Sequence, residues 1–328
     1  MNNYIFFRTD RIGDFLLSAI LLNSIKRNDP NSYITVICSS KNYDYVKNFH
    51  LVDRAVLYPE KNLFKKISFF LGMFFKKNYC AIVCDGKKRS IYSAILLRSK
   101  IKILFSTKII HKVMFNFFFS KILIDKYSKS KILEIQNALV HIKFNFTTQD
   151  LNTLKVKNNK NFSINNKDYV LLHFDEKWIH NNYIKSYKKI EPNVSEFKKF
   201  IADIIDKTNK NLVITTGIKN NDLIDKILSE FKFVNNKTFI KHHNSNSIIH
   251  IKDTTFFDIE FLISKSNLLI ASHGAVTHVA ASLNIPIFDI IDDSESIFFD
   301  KWTSHFRTYK KFVREDFNLL SKKILDQL

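Results

Sequence analysis

The sequence predicts an α/β protein made of two doubly wound halves, each a parallel sheet with helices on both faces. Three observations support this prediction. The chain has 328 residues, which is too long for one ordinary core and suits two domains. Short apolar runs alternate with longer helix-like stretches, the pattern of βαβ units. A polar segment without periodicity, KVKNNKNFSINNK, interrupts that pattern near the middle.

The first half, residues 1–155, alternates strands and helices from its beginning. A helix is predicted over Asp14–Arg27, which is apolar on nearly all sides and therefore buried. A second helix is predicted over Ser90–Arg98. The predicted strands are Tyr4–Phe7, Tyr33–Cys38, Ala55–Tyr58, Ala81–Cys84 and Ile101–Leu104. This half is therefore expected to be one Rossmann-like domain.

Residues 156–167 are predicted to be a linker, and the same pattern restarts over 168–328. The predicted strands are Tyr169–Phe174, Leu212–Thr215, Leu268–Ala271 and Ile287–Ile291. The predicted helices are Val194–Lys207, Asn221–Phe231, Thr277–Leu283 and an amphipathic tail, Arg314–Leu328, which could pack back on the first domain. Two such halves would leave a cleft between them, with ligands at the carboxyl ends of the strands.

Composition narrows the class of protein. A hydrophobic fraction of 45% excludes disorder as the main state. No apolar run reaches the ~18 residues of a membrane-spanning helix, and the first residues lack the features of a signal peptide, so a cytosolic protein is expected. The first 155 residues hold 26 Lys and Arg against 10 Asp and Glu. That excess favours an anionic partner, although a general compositional bias explains it equally well.

The first candidate site is the turn Arg8-Thr9-Asp10-Arg11-Ile12-Gly13-Asp14. Asp14 falls at the N-terminus of the buried helix, where a carboxylate either caps the helix or serves as a general base for a substrate hydroxyl. Arg8 and Arg11 could bind an anionic acceptor in the same loop. Gly13 is one of only five glycines, a residue kept where something must approach the backbone closely.

The second candidate site follows the predicted strand Leu268–Ala271. A loop of small residues leads into a helix there, and the free N–H groups at a helix N-terminus bind phosphate. The residues proposed to hold a diphosphate are Ser272, His273, Gly274, Ala275, Thr277 and His278, together with Lys177, which follows another strand. The pattern is neither a Walker A loop nor GxGxxG, and no metal site is predicted.

These motifs resemble glycosyltransferase family nine, the lipopolysaccharide heptosyltransferases, over most of the chain. Arg8 to Asp14 resembles the family's Arg-x-Asp-x-x-Gly-Asp, and Phe49–Pro59 is similar to its "nPxVDxvi" segment. Tyr79–Asp85 resembles its "yDlvid" strand. Gly274, His278, Ala280-Ala281, Leu283 and Pro286 resemble its "DsGxxHlAaAlgxP". Ser272-His273 stand where the family has an acidic residue.

The resemblance implies the GT-B fold, two Rossmann-like doubly wound domains facing a central cleft. It further implies inverting, metal-independent transfer of a sugar, with Asp14 as the base and with Lys177 and Gly274–His278 holding the donor's diphosphate. No cofactor is implied, since a nucleotide-diphosphate sugar is the co-substrate, and ADP-heptose is the first candidate. The acceptor would be lipopolysaccharide or another anionic, lipid-linked glycan, reached from the cytoplasm at the inner membrane.

Two other functions stay open at this point. A catalytically inactive relative would bind glycan or nucleotide without turnover, a reading suggested by the altered Ser272-His273-Gly274 loop. A nucleic-acid-binding protein would suit the basic half, but no nucleic-acid-binding motif supports it. Lys61–Lys77, an apolar segment flanked by lysines, fits either a core helix or a segment lying at a membrane surface.

Overall fold

The chain forms two compact units in a computed structural model. The structure describes residues 1–59, 63–74, 77–125, 129–156, 168–179, 185, 187–217, 222–235 and 237–328. The first unit comprises Met1–Leu154 together with Asp300–His305, and the second comprises Lys155–Phe299 together with Phe306–Leu328. Most of the predicted linker, residues 157–167, lies outside the described residues.

The first unit is built on a six-stranded parallel sheet in the order β3-β2-β1-β4-β5-β6. Its strands are β1 (Asn3–Phe7), β2 (Tyr33–Cys38), β3 (Arg54–Leu57), β4 (Asn78–Val83), β5 (Ser99–Ser106) and β6 (Lys121–Ile124). The order reverses between β1 and β4, which is the point where such sheets open a crevice for ligands. Strand β6 was not predicted.

Helices cover both faces of the first sheet. They are α1 (Ile12–Asn28), α2 (Tyr43–Lys47), α3 (Leu63–Phe74), α4 (Lys88–Leu96), α5 (Ile110–Phe115) and α6 (Lys131–His141). Right-handed crossovers place α3, α4 and α5 on one face and α1 on the other. A single core cluster agrees with this, because Phe69, Ile91 and Phe115 pack together over β1, β4 and β5.

The second unit contains an eight-stranded sheet in the order β14-β13-β12-β7-β8-β11-β10-β9. The strands are β7 (Tyr169–Phe174), β8 (Asn211–Thr216), β9 (Lys232–Asn235), β10 (Thr238–His243), β11 (Asn246–Ile251), β12 (Leu268–Ser272), β13 (Ile287–Ile291) and β14 (Tyr309–Val313). All pairs are parallel except those that β10 makes with β9 and β11. The order reverses at β7 and β12.

The helices of the second unit are α7 (Val194–Thr208), α8 (Asp222–Leu228), α9 (Phe256–Lys265), α10 (Ala275–Ser282), α11 (Ser296–Thr303) and α12 (Phe317–Leu325), with α11 crossing the boundary at Asp300. The prediction of one helix over Arg314–Leu328 was wrong at its start, because α12 begins only after an extended segment. That final helix belongs to the second unit, where Phe317, Leu320 and Ile324 join the core. Across the residues described, no helix is long and apolar enough to cross a bilayer.

Candidate functional site

A cavity of about 310 Å³ opens in the first unit at the carboxyl ends of β1, β4 and β5. It lies where the strand order reverses, the position expected of a ligand crevice. Side chains of both charges line it together with apolar ones. The lining residues include Arg8, Asp10, Asp14, Asp85, Lys131, Glu134 and Trp302.

Asp14 lies in the first turn of α1 and is half-buried against this cavity. Its Oδ2 accepts a hydrogen bond from the backbone N–H of Arg11 at 3.2 Å, so the carboxylate caps the helix as well as lining the cavity. Of the three residues predicted to bind the acceptor, Arg8 lines the cavity, while Arg11 is exposed at the N-cap of α1 and Gly13 lies in its first turn.

Arg8 is a buried cation in this site. Its Nε donates to Ser18 Oγ at 2.8 Å, and its Nη1 donates to Asp10 Oδ2 at 3.0 Å. Burial acts to lower the pKa of Arg8, but its electrostatic interactions with Cys84, Asp14, Asp10 and Asp85 outweigh burial and raise that pKa. The guanidinium therefore stays charged beside Asp14.

Asp85, two residues beyond the end of β4, organises the loops that line the cavity. Its Oδ2 accepts from the backbone N–H and the hydroxyl of Thr9, at 3.2 and 2.6 Å, and from Ser90 Oγ at 2.8 Å. Thr9 in turn accepts from Lys87 Nζ at 3.1 Å and from an Arg89 Nη at 3.0 Å. Sequence reasoning missed Asp85 as a site residue, although its place after a buried strand was a usable signal.

A second charged cluster forms another part of the cavity wall. Lys131 Nζ contacts Glu134 Oε2 at 3.0 Å, forms an ion pair with Asp125, and lies 5.5 Å from the centre of the Trp302 ring. Burial raises the pKa of Glu134 to about 7. Burial acts in the same sense on Asp125, but hydrogen bonds from Lys131 and its charge outweigh it and lower the pKa of Asp125. None of these residues was predicted from sequence.

The second unit brings β7 and β12 side by side, and their carboxyl ends place Lys177 next to Ser272-His273-Gly274. Lys177 Nζ donates to the carbonyl oxygens of His273 at 2.9 Å and Ser272 at 3.4 Å, and it pairs with Asp175 Oδ2 at 2.7 Å. A Cβ at Gly274 would lie 2.5 Å from this ammonium. The lysine and the loop that were predicted separately are therefore in contact.

Gly274 is the N-cap residue of α10, which begins at Ala275, two residues before the predicted start at Thr277. The Thr277 hydroxyl donates to the carbonyl oxygen of Gly274 at 2.8 Å. Ser272 is buried, and its hydroxyl has no hydrogen-bond partner among the described residues. A helix N-terminus, an ammonium and a buried hydroxyl thus meet at one end of the sheet, an arrangement suited to an anion.

His273 is fixed by a residue that the sequence did not indicate. Its Nδ1 is 2.6 Å from Oδ2 of Asp289, a fully buried carboxylate on β13 that also accepts from the Tyr309 hydroxyl at 3.1 Å. The ring of His278 lies 5.6 Å from that of His273. An aspartate inside the apolar strand IFDII was the signal that could have revealed this partner.

The buried side chain of Arg314 holds two of the described residues after β7. Arg314 donates from an Nη to the carbonyl oxygen of Lys177 at 2.7 Å and from Nε to that of Lys188 at 3.1 Å. Trp178 is fully buried against Phe174. Across the residues described, no three His, Cys, Asp or Glu side chains are grouped as metal ligands.

Two doubly wound units, each with polar side chains at its switch point, define the GT-B fold. No protein-family model matches the chain, and no curated protein is similar to it in sequence. Solved structures do match. A family 9 glycosyl transferase from Veillonella parvula has a TM-score of 0.66 and 14% identity, over 99% of this chain and 88% of that one.

Two further matches extend the comparison. The E. coli heptosyltransferase WaaC, with ADP, has a TM-score of 0.68 and 10% identity, over 99% of this chain and 100% of that one. A UDP-GlcNAc 2-epimerase from Methanocaldococcus jannaschii has a TM-score of 0.58 and 13% identity, over 100% of this chain and 92% of that one. The GT-B fold and the resemblance to family nine are thus confirmed as a similarity of fold.

Proposed function

We propose that this protein is an inverting glycosyltransferase that moves a sugar from a nucleotide-diphosphate donor to a cell-envelope glycan. The observation that carries the proposal is Asp14, a half-buried carboxylate that lines the cavity at the switch point of the first sheet, beside the buried cation Arg8. Its position supports a general base. Heptose from ADP-heptose, transferred to lipopolysaccharide, is the first candidate reaction.

In the proposed reaction, Asp14 takes the proton from an acceptor hydroxyl as its oxygen attacks the anomeric carbon. The attack comes from the face opposite the leaving group, so the configuration inverts. The bond from the anomeric carbon to the diphosphate oxygen breaks as the new glycosidic bond forms. The nucleoside diphosphate departs with the electron pair of that bond.

Lys177 and the first turn of α10 are proposed to stabilise the departing diphosphate. The ammonium and the backbone N–H of Ala275 would supply positive charge, as a metal ion does in other enzymes. The Thr277 N–H donates to the Gly274 carbonyl oxygen at 3.2 Å, so Thr277 is proposed to border the site rather than to donate this N–H to the ligand. Ser272, Gly274 and His278 complete the predicted donor site. His273, held at Nδ1 by Asp289, is also proposed to contact the donor, and it stands with Ser272 where the resembling family has an acidic residue.

The acceptor is proposed to be anionic and lipid-linked. Arg8, Arg11 and Gly13 line or flank the catalytic turn, and Lys131 adds a further cation to the cavity. An enzyme that uses such an acceptor would work in the cytoplasm at the inner face of the membrane. The basic balance of the first 155 residues supports this location.

Asp14→Asn tests the proposal. We expect transfer to fall by at least about a hundredfold, because the amide accepts no proton, while affinity for the nucleoside diphosphate stays unchanged. Asp258→Asn is the matched control, since Asp258 occupies the same position in the capping box of α9. Transfer is measured with ADP-heptose and other nucleotide sugars, and binding by thermal stabilisation with ADP, UDP and GDP.

The outcomes separate the alternatives. Equal transfer by the Asp14 and Asp258 variants would remove Asp14 as the base. Stabilisation by a nucleoside diphosphate without transfer from any donor would favour the catalytically inactive relative. If no nucleotide stabilises the protein, the glycosyltransferase proposal fails.

A further inference from the structure

Helices α3, α4 and α5 cover one face of the first sheet, and their outward sides carry large apolar residues. The inward sides of the three helices share a core cluster through Phe69, Ile91 and Phe115. The Tyr92 ring on α4 also contacts Phe115 on α5, with ring centres 6.0 Å apart. The three helices are therefore neighbours, and their outer surfaces together are called the α3–α5 face.

Helix α5 and the residues that follow it show the strongest exposure. His111, Phe115 and Phe119 point inward and are buried, at the four-residue spacing of one helical face. The intervening apolar residues point outward: Val113 is 77% exposed and Phe117 is 94% exposed. The other exposed apolar residues here are Ile109, Ile110, Met114 and Phe118. A monomer in water gains nothing from such an arrangement.

The other two helices extend the same apolar surface. On α3, Phe64 is 82% exposed, and Ile67 and Leu71 are also exposed, at the spacing of one helical face. On α4, Tyr92 and Leu96 are about half exposed. The apolar surface therefore continues across three adjacent elements.

The segment that contains these helices is strongly basic. Residues 61–124 contain 14 Lys and Arg and a single acidic residue, Asp85, which lies in the cavity. Lys88, Lys108 and Lys112 are exposed on or beside α4 and α5. Burial first, and then the charges of Lys108 and Lys88, lower the pKa of His111 on α5.

We propose that the α3–α5 face docks on an anionic lipid bilayer, with the exposed aromatic and aliphatic side chains entering the interface and the lysines contacting lipid phosphates. A second copy of the chain fits this face poorly, because two faces with the same excess of positive charge would repel each other. An anionic bilayer offers both an apolar interior and the opposite charge. The inference rests on the proposed function in one respect only: a lipid-linked acceptor gives the protein a reason to be at a membrane.

The test is co-sedimentation of the full chain with vesicles, without donor or acceptor. We expect binding to vesicles of equal parts phosphatidylglycerol and phosphatidylcholine, weaker binding in high salt, and little binding to phosphatidylcholine alone. The double variant Val113→Ser, Phe117→Ser should lower the partition coefficient by at least about tenfold. Val140→Ser is the control, because Val140 is 71% exposed on α6, which packs against α1 on the other side of the unit.

Three outcomes would overturn the proposal. The first is no binding of the unmodified protein to anionic vesicles, and the second is equal binding by the double variant. The third is that the unmodified protein is a dimer in analytical ultracentrifugation while the double variant, unlike the control, is a monomer. That result would assign the face to self-association. Because sugar transfer to a water-soluble acceptor does not require this face, activity of the double variant on such an acceptor tests the proposed function separately.

Discussion

Gly274 is the residue whose small size matters most to the proposed donor site. Its φ of 174° is extended backbone that any residue adopts, so conformation does not require glycine here. The position of Lys177 depends on it instead, because a Cβ would lie 2.5 Å from Lys177 Nζ and the end of the lysine side chain would have to shift. The glycine thus lets the ammonium rest against the carbonyl oxygens of Ser272 and His273.

Gly274→Ala should therefore displace the lysine ammonium and weaken binding of the nucleoside diphosphate by about ten- to a hundredfold, the value of a charged hydrogen bond. Isothermal titration calorimetry with ADP or the preferred nucleotide measures this loss of affinity. Gly72→Ala on α3 is the control, since a Cβ there meets nothing within 4 Å. That variant should gain roughly 0.5–1 kcal/mol of stability. Unchanged nucleotide affinity in Gly274→Ala would place the diphosphate away from Lys177.

Helix α6 is the element that brings a buried carboxyl into the first-unit cavity. Lys131 and Glu134 lie one turn apart on it, next to Asp125 and to Lys301, whose Nζ donates to the Asp125 carbonyl oxygen at 2.8 Å. The pKa of Glu134 is raised to about 7, above its unfolded value, mainly by burial. The stabilising contribution of the protonated form is complete below about pH 4.5 and is lost as the pH rises through 7.

Glu134→Gln should therefore stabilise the protein at pH 8, where the buried carboxyl is otherwise forced to ionise, and should have little effect at pH 4.5. Urea unfolding at the two pH values, followed by circular dichroism, gives the difference in free energy of unfolding. Glu196→Gln, at the exposed cap of α7, is a control for a carboxylate that solvent reaches. The interpretation is wrong if Glu134→Gln destabilises the protein equally at both pH values.

The elements that sequence predicted best are the buried parallel strands. Tyr33–Cys38, Tyr169–Phe174 and Ile287–Ile291 have the predicted bounds, because a strand buried on both faces reads as a continuous apolar run. Strands β9, β10 and β11 were missed, since β10 runs antiparallel to both of its neighbours in a ribbon with many exposed or polar residues. Strand β14 was missed because its sequence, YKKFV, is rich in lysine at the sheet edge.

The candidate sites were predictable only where the residues follow one another in the sequence. The turn from Arg8 to Asp14 and the loop from Ser272 to His278 are local motifs, so spacing alone indicated them. Lys177 was proposed from its position after a strand. The partners Asp289 and Asp125 were not predicted, because their roles depend on contacts between distant segments, such as that of Lys301 with Asp125, 176 residues apart.

At the scale of the whole molecule, three histidines with lowered pKa values set the response to acid. The pKa values of His173, His250 and His305 are each lowered to about 4, mainly by burial. In the unfolded chain these groups titrate near 6.5. Their stabilising contribution is therefore complete above about pH 6.5 and is lost as the pH falls toward 4, by up to roughly 1.4 kcal/mol per pH unit for each group.

We expect the free energy of unfolding to fall between pH 6.5 and 4.5, because three histidines outweigh the opposite contribution of Glu134 in that window. His250→Phe should reduce the slope, since neither ring nitrogen of His250 has a hydrogen-bond partner in the described part of the chain and its ring lies 6.0 Å from Phe239. His242→Asn, at an exposed position on the same ribbon, is the control. Urea unfolding across this range measures the slope of the free energy of unfolding against pH. Equal slopes in the unmodified protein and in His250→Phe would show that His250 takes up its proton without unfolding the second unit.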